Sequence, residues 1–185
     1  FLYNTLNTII GLSYKDGEKT REALGNLAIY LRGKLNVHSD QYLVPLKEEL
    51  ELVKAYLEIE KLRYGSKLQV EYDMDQNIFV LIPSLTIQPL VENSIRHGLR
   101  MKKEDWQIRI STRRVGEKIY ITVEDNGIGM SKEKKDQLLA GNSEGVGFKN
   151  VLKKIQRIKN ASIELESRES EGTRVIIIMP GGEIL

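Results

Sequence analysis

Residues 125–130 read DNGIGM, and the role of this hexapeptide decides how the fold of the chain is understood. Asn and Gly tolerate positive φ at little cost, so Asp-Asn-Gly is a common way to turn a chain. Two glycines beside an acidic residue also allow the backbone to approach a nucleotide closely. Taken alone, the stretch is therefore either a hairpin loop or the floor of a nucleotide pocket, and the rest of the sequence must decide.

Composition narrows the classes of protein to which this chain can belong. Of its 185 residues, 41% are apolar and 29% are charged, which is typical of a globular domain. The absence of cysteine excludes disulfides and thiolate metal sites, and His38 and His97 are too few for a histidine zinc site without carboxylates. A net charge of +2 does not by itself indicate a nucleic-acid binder.

Nothing in the sequence indicates a membrane span or a signal peptide. No apolar run approaches the ~20 residues that cross a bilayer, so we expect this stretch not to be embedded in a membrane. Because the first residue is Phe1 rather than Met, we expect the chain to be a piece of a longer protein.

The first third of the chain has helical periodicity. Residues 1–12 place apolar side chains three or four apart, and Asp16 is suited to cap a second helix that continues to Leu35. Pro45 is suited to begin a third helix and Gly65 to end it. This third helix carries two apolar stripes, formed by Leu46, Leu50, Val53, Leu57 and Tyr64, and by Leu52, Tyr56 and Ile59. Two stripes predict two packing partners, and the second is either another helix of this chain or a second copy of it.

After Gly65 the apolar residues alternate, which predicts strands. Strands are predicted at 68–72, 107–114, 119–123, 163–165 and 173–179. Helices are predicted at 83–97, at 131–139 with Ser131 as its cap, and after Gly147. Pro89 should kink the first of these helices, and Gly98 should end it. This order predicts the α+β class, with helices over one face of a mixed, mostly antiparallel sheet.

Two further stretches carry candidate binding residues. EGVGFKN, residues 144–150, places glycines at the start of a helix, where free N–H groups attract phosphate. Charge there gains only ~0.3–1 kcal/mol, so this stretch taken alone favours an ordinary tight loop that enters a helix. LVENSIRHG, residues 90–98, puts four polar side chains on an apolar helix: Glu92, Asn93, Arg96 and His97. An Asn oxygen suits a Mg²⁺ shell, whereas Glu92 and Arg96 are spaced for a surface ion pair.

The order of the three stretches is specific. A helix with Asn93 is followed by a strand that runs into DNGIGM and then by Gly145-x-Gly147. In this order LVENSIRHG, DNGIGM and GVGFKN resemble the N box and the two glycine boxes of the GHKL ATP-binding superfamily. That superfamily includes gyrase-type topoisomerases, mismatch-repair ATPases, heat-shock chaperones and histidine kinases. EGTRVIIIMP, residues 171–180, resembles its closing strand. The resemblance implies a Bergerat-type α/β sandwich in which DNGIGM is the floor of an ATP pocket.

One position separates the branches of this superfamily. Hydrolysing members carry a Glu four residues before the box asparagine, and this chain has Pro89 there, which argues against a gyrase-like or chaperone-like ATPase. FLYNTLNTI and LVPLKEELELVKAYLEIEKLRYG resemble LytS-type sensor histidine kinases. This resemblance implies a helical dimerisation and phosphoacceptor-like segment over residues 1–64 and a catalytic ATP-binding domain over residues 65–185. An anti-sigma-type GHKL kinase and a non-catalytic nucleotide-binding or dimerising scaffold remain the alternatives.

The resemblance implies a role for each box residue. Asp125 would accept a hydrogen bond from the adenine amino group, and Gly127 and Gly129 would let the backbone approach the base. Asn93 would ligate Mg²⁺ between the phosphates, and it is a candidate catalytic residue together with Glu92. Further nucleotide contacts are implied for Arg96, His97, Met130, Gly145, Gly147, Phe148, Lys149 and Thr173. ATP and Mg²⁺ are therefore the expected cofactors.

The resemblance also implies where the phosphoryl group goes. The phosphorylated histidine of this family directly precedes a stretch like FLYN, so we expect it directly before Phe1, a position that neither His38 nor His97 matches. Asn4 would lie one turn further along the same helical face, where an Asn or Thr is implicated in response-regulator dephosphorylation, which makes it a third candidate catalytic residue. Other histidine kinases often have an acidic residue next to the acceptor, and this chain has Phe1 at that position. The group that accepts the imidazole proton is therefore left open.

Partners and location follow from the same resemblance. We expect a response regulator as the phosphoryl acceptor and a second copy of the chain bound through the N-terminal helices. The parent protein is expected to be a membrane-anchored bacterial sensor kinase with this region in the cytoplasm. A basic run predicts a solvated helix face rather than a nucleic-acid site: Lys149, Lys153, Lys154, Arg157 and Lys159.

Overall fold

The computed structural model describes residues 1–35, 42–99, 105–140 and 146–181. Six α-helices are present in these ranges: α1 (Leu2–Ser13), α2 (Gly17–Leu35), α3 (Leu46–Tyr64), α4 (Gln88–Asn93), α5 (Lys132–Leu139) and α6 (Val146–Ile155). The strands are β1 (Leu43–Pro45), β2 (Leu68–Asp73), β3 (Leu81–Pro83), β4 (Trp106–Val115), β5 (Lys118–Asp125), β6 (Ser162–Arg168) and β7 (Gly172–Pro180). A 3₁₀ turn, Gly65–Lys67, follows α3, and a π-helix, Ser94–Leu99, follows α4. His38 and Gly145 lie outside the described residues.

Five strands form one sheet in the order β2-β4-β5-β7-β6. Only β2 and β4 pair in parallel, whereas the other three pairs are antiparallel, which confirms the predicted α+β class and the mixed, mostly antiparallel sheet. Alternate side chains of the central strands point toward the helices and are buried: Ile108, Ile110, Ile119, Ile121, Val123, Ile177 and Met179. The opposite face carries ion pairs between Arg109 and Asp73 and between Arg174 and Glu124. One face of the sheet therefore holds the core, and the other is charged.

Helix α3 is buried on both sides. Val53 and Leu57 are fully buried in the main core, which lies between α3, α4, α6 and the sheet. Ile59 belongs to a smaller second core with Ile9 of α1 and with Ala23 and Leu27 of α2. Both stripes of α3 are thus covered within the chain, which answers the open question in favour of intramolecular packing for this helix.

Helix α1 is amphipathic, but most of its apolar side chains lie at the surface. Thr5 and Ile9 are its buried residues. Leu2 and Leu6 are each 43% exposed, and Ile10 is 55% exposed. The spacing of apolar residues predicted the helix correctly, yet the chain itself covers only one edge of its apolar face.

Caps and turns account for several element boundaries. Asp16 Oδ1 accepts hydrogen bonds from the N–H groups of Glu18 (3.1 Å) and Lys19 (3.0 Å), which confirms it as the cap of α2. Gly65, with φ 59°, ends α3 as predicted. Pro45 ends β1 and occupies the N-cap position of α3, which begins at Leu46. Its prediction as the first helical residue was therefore off by one position. The antiparallel pair β1 and β3 was not predicted, because three residues are too few to show alternation.

The predicted bounds of the helix at 83–97 were wrong at both ends. Pro83 ends β3, and the helix begins only at Gln88. Pro89 therefore lies in the first turn, where a missing N–H has no intrahelical partner to lose, and it does not kink the helix. Gly98 lies within the π-helix, which continues to Leu99.

Among the helices in the described ranges, none is both long enough and apolar enough to cross a bilayer.

Replacing Ile59 with Ala should loosen the second core. Ile59 is 1% exposed, so the cavity should lower the free energy of unfolding by about 2–4 kcal/mol. Urea denaturation measures this change. The matched control on the same helix is Leu62→Ala, at a side chain that is 38% exposed, where a loss below about 1 kcal/mol is expected. Equal losses in the two variants would contradict the packing of α1 and α2 on α3.

Candidate nucleotide-binding site

The carboxylate of Asp125 lies buried at the end of β5, with 5% of the residue exposed. Its Oδ1 accepts a hydrogen bond from the Gly127 N–H at 2.9 Å. The Ser94 hydroxyl and the Thr173 N–H also donate to this carboxylate. Burial raises the pKa of Asp125, and these hydrogen bonds act in the opposite direction. The result is a carboxylate that is fixed in orientation and poorly solvated, and thus suited to accept a donor from a ligand.

Two glycine backbones meet above this carboxylate. A Cβ on Gly127 would lie 2.5 Å from the carbonyl carbon of Gly98 and 2.7 Å from Asp125 Oδ1. A Cβ on Gly98 would lie 2.8 Å from the same oxygen. The chain then continues beneath the π-helix, where the Ile128 N–H donates to the Gly98 carbonyl at 3.1 Å. DNGIGM is therefore not a hairpin loop, and its glycine at 127 is required by this close approach.

The other end of DNGIGM is fixed by the turn between β6 and β7. Gly129 has φ 63°, and a Cβ there would overlap the Arg168 carbonyl. Ser167 Oγ accepts from the Met130 N–H at 3.1 Å, donates to the Gly172 carbonyl at 2.8 Å, and lies 3.0 Å from Thr173 Oγ1. Ser167 was not predicted as a site residue, since one serine in an alternating strand carries no recognisable pattern. Met130 is half-buried and packs against the main core.

Asn93 ends α4 and faces the start of α6. A Cβ on Gly147 would lie 3.4 Å from Asn93 Nδ2 and 3.6 Å from Asn93 Oδ1. The first turn of α6 presents N–H groups that have no partner within the helix. The fold thus brings the Asn93 amide and a potential phosphate cradle together, although they are more than fifty residues apart. Phe148, next to this glycine, is 6% exposed and packs in the main core.

The ion pair considered between Glu92 and Arg96 is not the arrangement found. Glu92 Oε1 is held by Lys34 Nζ at 2.8 Å, by the Tyr30 hydroxyl at 3.1 Å and by Gln88 Nε2 at 3.0 Å. The helix changes from α to π at Ser94, which alters the four-residue spacing that would have brought Glu92 and Arg96 together. Helix α2 therefore contacts the N box directly, a link that no local spacing in the sequence predicted.

Basic side chains gather beside the N box. Arg96 and His97 are exposed on the π-helix, and Lys149 is half-buried on α6. Partial burial lowers the pKa of His97, and the positive charges of Arg96 and Lys134 lower it further. The charged form of His97 is therefore disfavoured, and the neighbouring positive charges form a field that suits an anionic ligand. Lys154, expected on a solvated face, is instead half-buried, with its Nζ 2.6 Å from the Ser84 carbonyl.

Asn4 lies in the helical layer rather than among the boxes. It is exposed on α1, and its carbonyl accepts a hydrogen bond from the Thr8 hydroxyl at 2.9 Å. The start of α1 nevertheless reaches the N box through one side chain. The ring of Phe1 packs on Tyr30 at 4.7 Å between centroids, and the Tyr30 hydroxyl binds Glu92.

The sequence of this chain matches two protein families. Residues 83–183 match the family described as Histidine kinase-, DNA gyrase B-, and HSP90-like ATPase, and residues 1–68 match the family described as Histidine kinase. The first match spans more than half of the chain. The chain belongs to the histidine kinase-, DNA gyrase B- and HSP90-like ATPase family, which confirms the resemblance of the three boxes.

Individual proteins support the same assignment. The chain is 35% identical over 181 residues to the putative uncharacterized protein YwpD of Bacillus subtilis, covering 97% of this chain and 65% of that protein. It is 32% identical over 188 residues to Sensor protein LytS of Enterococcus faecalis, covering 97% of this chain and 32% of that protein. This confirms the resemblance to LytS-type sensor kinases, although the chain spans only about a third of LytS.

A solved structure shares the fold. The crystal structure of histidine kinase ThkA in complex with response regulator protein TrrA superposes with a TM-score of 0.57 at 16% identity, covering 97% of this chain and 58% of that chain. At this identity the comparison shows the fold alone.

Adenosine binding should depend on Asp125 and on pH. Asp125→Asn should weaken adenosine binding by ten- to a hundredfold, because a hydrogen bond to a charged group contributes about 1.5–3 kcal/mol. Burial raises the pKa of this carboxyl, so it gains its proton at a higher pH than an ordinary Asp, and wild-type affinity should fall as the pH is lowered from neutrality. Calorimetry with adenosine checks both effects, because a phosphate-free ligand is insensitive to the titration of His97. Unchanged affinity in Asp125→Asn would remove Asp125 from the pocket.

Proposed function

We propose that this chain is the ATP-binding catalytic region of a two-component sensor histidine kinase. It would transfer the γ-phosphoryl group of ATP to a histidine, from which the group passes to an Asp of a response regulator. One observation carries the proposal: Gly98, which lies against the Asp125 carboxylate, and Asn93, which lies against Gly147, are joined by the π-helix. These are the parts that a kinase needs to select adenine and to hold phosphates.

The residues present fit ATP and Mg²⁺. Asp125 would accept a hydrogen bond from the adenine amino group. Because a carboxylate accepts hydrogen bonds but does not donate them, Asp125 would favour adenine over guanine. Within the described ranges, no three acidic or histidine side chains form a cluster that could hold a metal ion. Magnesium usually binds through few protein oxygens together with phosphates and water, which a single Asn93 oxygen satisfies. When bound, Mg²⁺ would neutralise charge on the phosphates.

Transfer itself would rely on position and charge. An imidazole nitrogen would attack the γ-phosphorus in line while the bond to the leaving oxygen of ADP breaks. Arg96, His97 and Lys149 would provide donors to the phosphate oxygens, and Gly147 would admit them close to the start of α6. Phosphoryl transfer gains most of its rate from such positioning and electrostatic stabilisation. Glu92 is a candidate catalytic residue whose carboxylate is held toward α2 by Tyr30 and Lys34.

The contacts of Tyr30 support the expected place of the acceptor. The family resemblance puts the histidine directly before Phe1, and the Phe1 ring packs on Tyr30, whose hydroxyl binds Glu92 of the N box. The helical layer and the N box are therefore already in contact. Asn4, one turn further along α1, would serve dephosphorylation of the response regulator.

The proposed partner and location rest on the relatives. The ThkA structure contains a response regulator, and the same class of partner is proposed here. The matched relatives include proteins named sensor proteins, which supports a membrane-anchored bacterial parent with this region in the cytoplasm. We do not propose that the basic run at residues 149–159 binds nucleic acid.

Autophosphorylation tests the proposal. A chain extended by one histidine before Phe1 should form phosphohistidine with ATP and Mg²⁺, detected as acid-labile, base-stable label. In the extended chain Asn93→Ala should abolish labelling and weaken Mg²⁺-dependent ATP-analogue binding by at least about tenfold. Asn77→Ala, at an exposed asparagine of the β2–β3 connection, serves as the control and should label normally.

The competing function is a scaffold that binds nucleotide, or none, and only dimerises. It predicts that Asn93→Ala leaves nucleotide affinity untouched and that the extended chain never labels. An anti-sigma-type kinase would instead label a serine of a partner protein, giving acid-stable rather than acid-labile phosphate. The chemical stability of the label therefore separates all three.

Dimerisation should use the exposed face of α1. Leu2, Leu6 and Ile10 present apolar surface that the described residues leave exposed, and two copies that pair through it would remove this surface from water. Leu6→Glu should shift the sedimentation coefficient from dimer to monomer. Phe79→Glu is the control, because Phe79 is 87% exposed but lies in the β2–β3 connection. A dimer that survives Leu6→Glu would contradict this interface.

A further inference from the structure

The carboxylate of Glu49 is buried outside the proposed ATP pocket. Glu49 lies on α3, between the apolar positions Leu46 and Val53, and is 3% exposed. Its Oε1 accepts from the Leu85 N–H at 2.5 Å. Its Oε2 accepts from the Thr86 N–H at 3.0 Å and the Ile87 N–H at 3.1 Å. Three consecutive amides thus converge on one side chain from a helix 36 to 38 residues earlier in the chain.

The turn that supplies these amides has an unusual backbone. Leu85 has φ 51°, a left-handed conformation that is uncommon for a residue other than glycine. Successive N–H groups in right- and left-handed conformations form a concavity that binds an anion, and the Glu49 carboxylate provides that anion. Without a carboxylate there, three N–H groups would lose their acceptor, two of them in buried hydrogen bonds.

A second residue holds the same turn from the other side. Lys154 of α6 donates from Nζ to the Ser84 carbonyl at 2.6 Å. Burial lowers the pKa of this ammonium, and the nearby Glu49 charge raises it. The Tyr42 hydroxyl binds the Lys154 carbonyl at 2.9 Å, which ties the same helix to the residues before β1. The turn at 84–87 is therefore clamped between α3 and α6.

The position of this turn determines the position of Asn93. Helix α4 begins directly after the turn and has only six residues, so about 9 Å of rigid helix separates the clamp from Asn93. Lys154 belongs to the same helix as Gly147, which faces Asn93. Glu49 and Lys154 together therefore fix the spacing between the N box and the start of α6.

We propose that Glu49 is a positioning residue for the phosphate end of the site, acting with Lys154 through the turn at 84–87. It sets the distance between Asn93 and the first turn of α6. Because α1 and α2 pack on α3, a shift of α3 would reach the phosphates through this carboxylate, whereas Asp125 itself lies on β5, which pairs with β4 and β7. The inference deepens the proposed function and rests on it.

The test compares two ligands in one variant. Glu49→Gln keeps the shape of the side chain but leaves one acceptor oxygen and adds an amide that must face backbone N–H groups. Affinity for a non-hydrolysable ATP analogue with Mg²⁺ should fall by ten- to a hundredfold, the penalty of a misplaced binding group. Affinity for adenosine, which needs only the Asp125 cradle, should change by less than about twofold. Both are measured by calorimetry well below the unfolding temperature.

Matched controls come from neighbouring residues. Glu48→Gln, at an exposed carboxylate of the same helical turn, should leave both affinities unchanged. Lys154→Met removes the second half of the clamp and should reproduce the selective loss, whereas Lys153→Met, at an exposed lysine, should not. If Glu49→Gln does not fold, the comparison of Lys154→Met with Lys153→Met provides the test.

Each result decides the proposal. Selective loss of the Mg²⁺-ATP analogue supports a positioning role. Equal loss of both ligands would show that Glu49 only stabilises the fold, and unchanged affinities would show that the turn does not control Asn93, so either result overturns it. If the wild-type chain binds neither ligand, the proposed function itself has failed, which the wild-type measurement distinguishes from the failure of this inference.

Discussion

The site depends on the contact of two glycine backbones above one buried carboxylate. Gly98 and Gly127 approach so closely that a Cβ on Gly127 would lie 2.5 Å from the other backbone, and both glycines lie against Asp125. This contact joins the π-helix that follows the N box to the strand that ends in DNGIGM. Because the π-helix also continues from Asn93, the proposed adenine and phosphate ends of the site adjoin the same helical segment.

The helical layer is coupled to this site at two separate points. Lys34 and Tyr30 of α2 hold Glu92, the residue next to Asn93. Glu49 of α3 holds the turn that precedes the same helix. Both contacts use a carboxylate with several donors, which is the condition under which a buried or half-buried charge is tolerated. A change in the helical layer would therefore act on α4, the helix that carries Asn93.

The sequence predicted the parts of this structure that are encoded locally. The three boxes, the strand alternation and the caps at Asp16 and Ser131 are set by neighbouring residues, and the structure confirms the elements they predict. The turn at 84–87, the β1–β3 pair and the contacts of Glu92 with α2 could not be predicted, because they join residues at least 36 positions apart. Glu49 did leave a local signal, since a carboxylate on an apolar helical stripe needs buried donors, but their identity required the fold.

The proposed kinase function requires that the chain bind ATP together with Mg²⁺. The wild-type chain should be titrated calorimetrically with a non-hydrolysable ATP analogue in the presence and absence of Mg²⁺. We expect a dissociation constant of about 1 mM or lower, equivalent to −4 kcal/mol or better, and weaker binding when Mg²⁺ is removed. A folded chain that binds no analogue, or binds it equally with and without Mg²⁺, would contradict the assignment of Asn93 and the kinase function built on it.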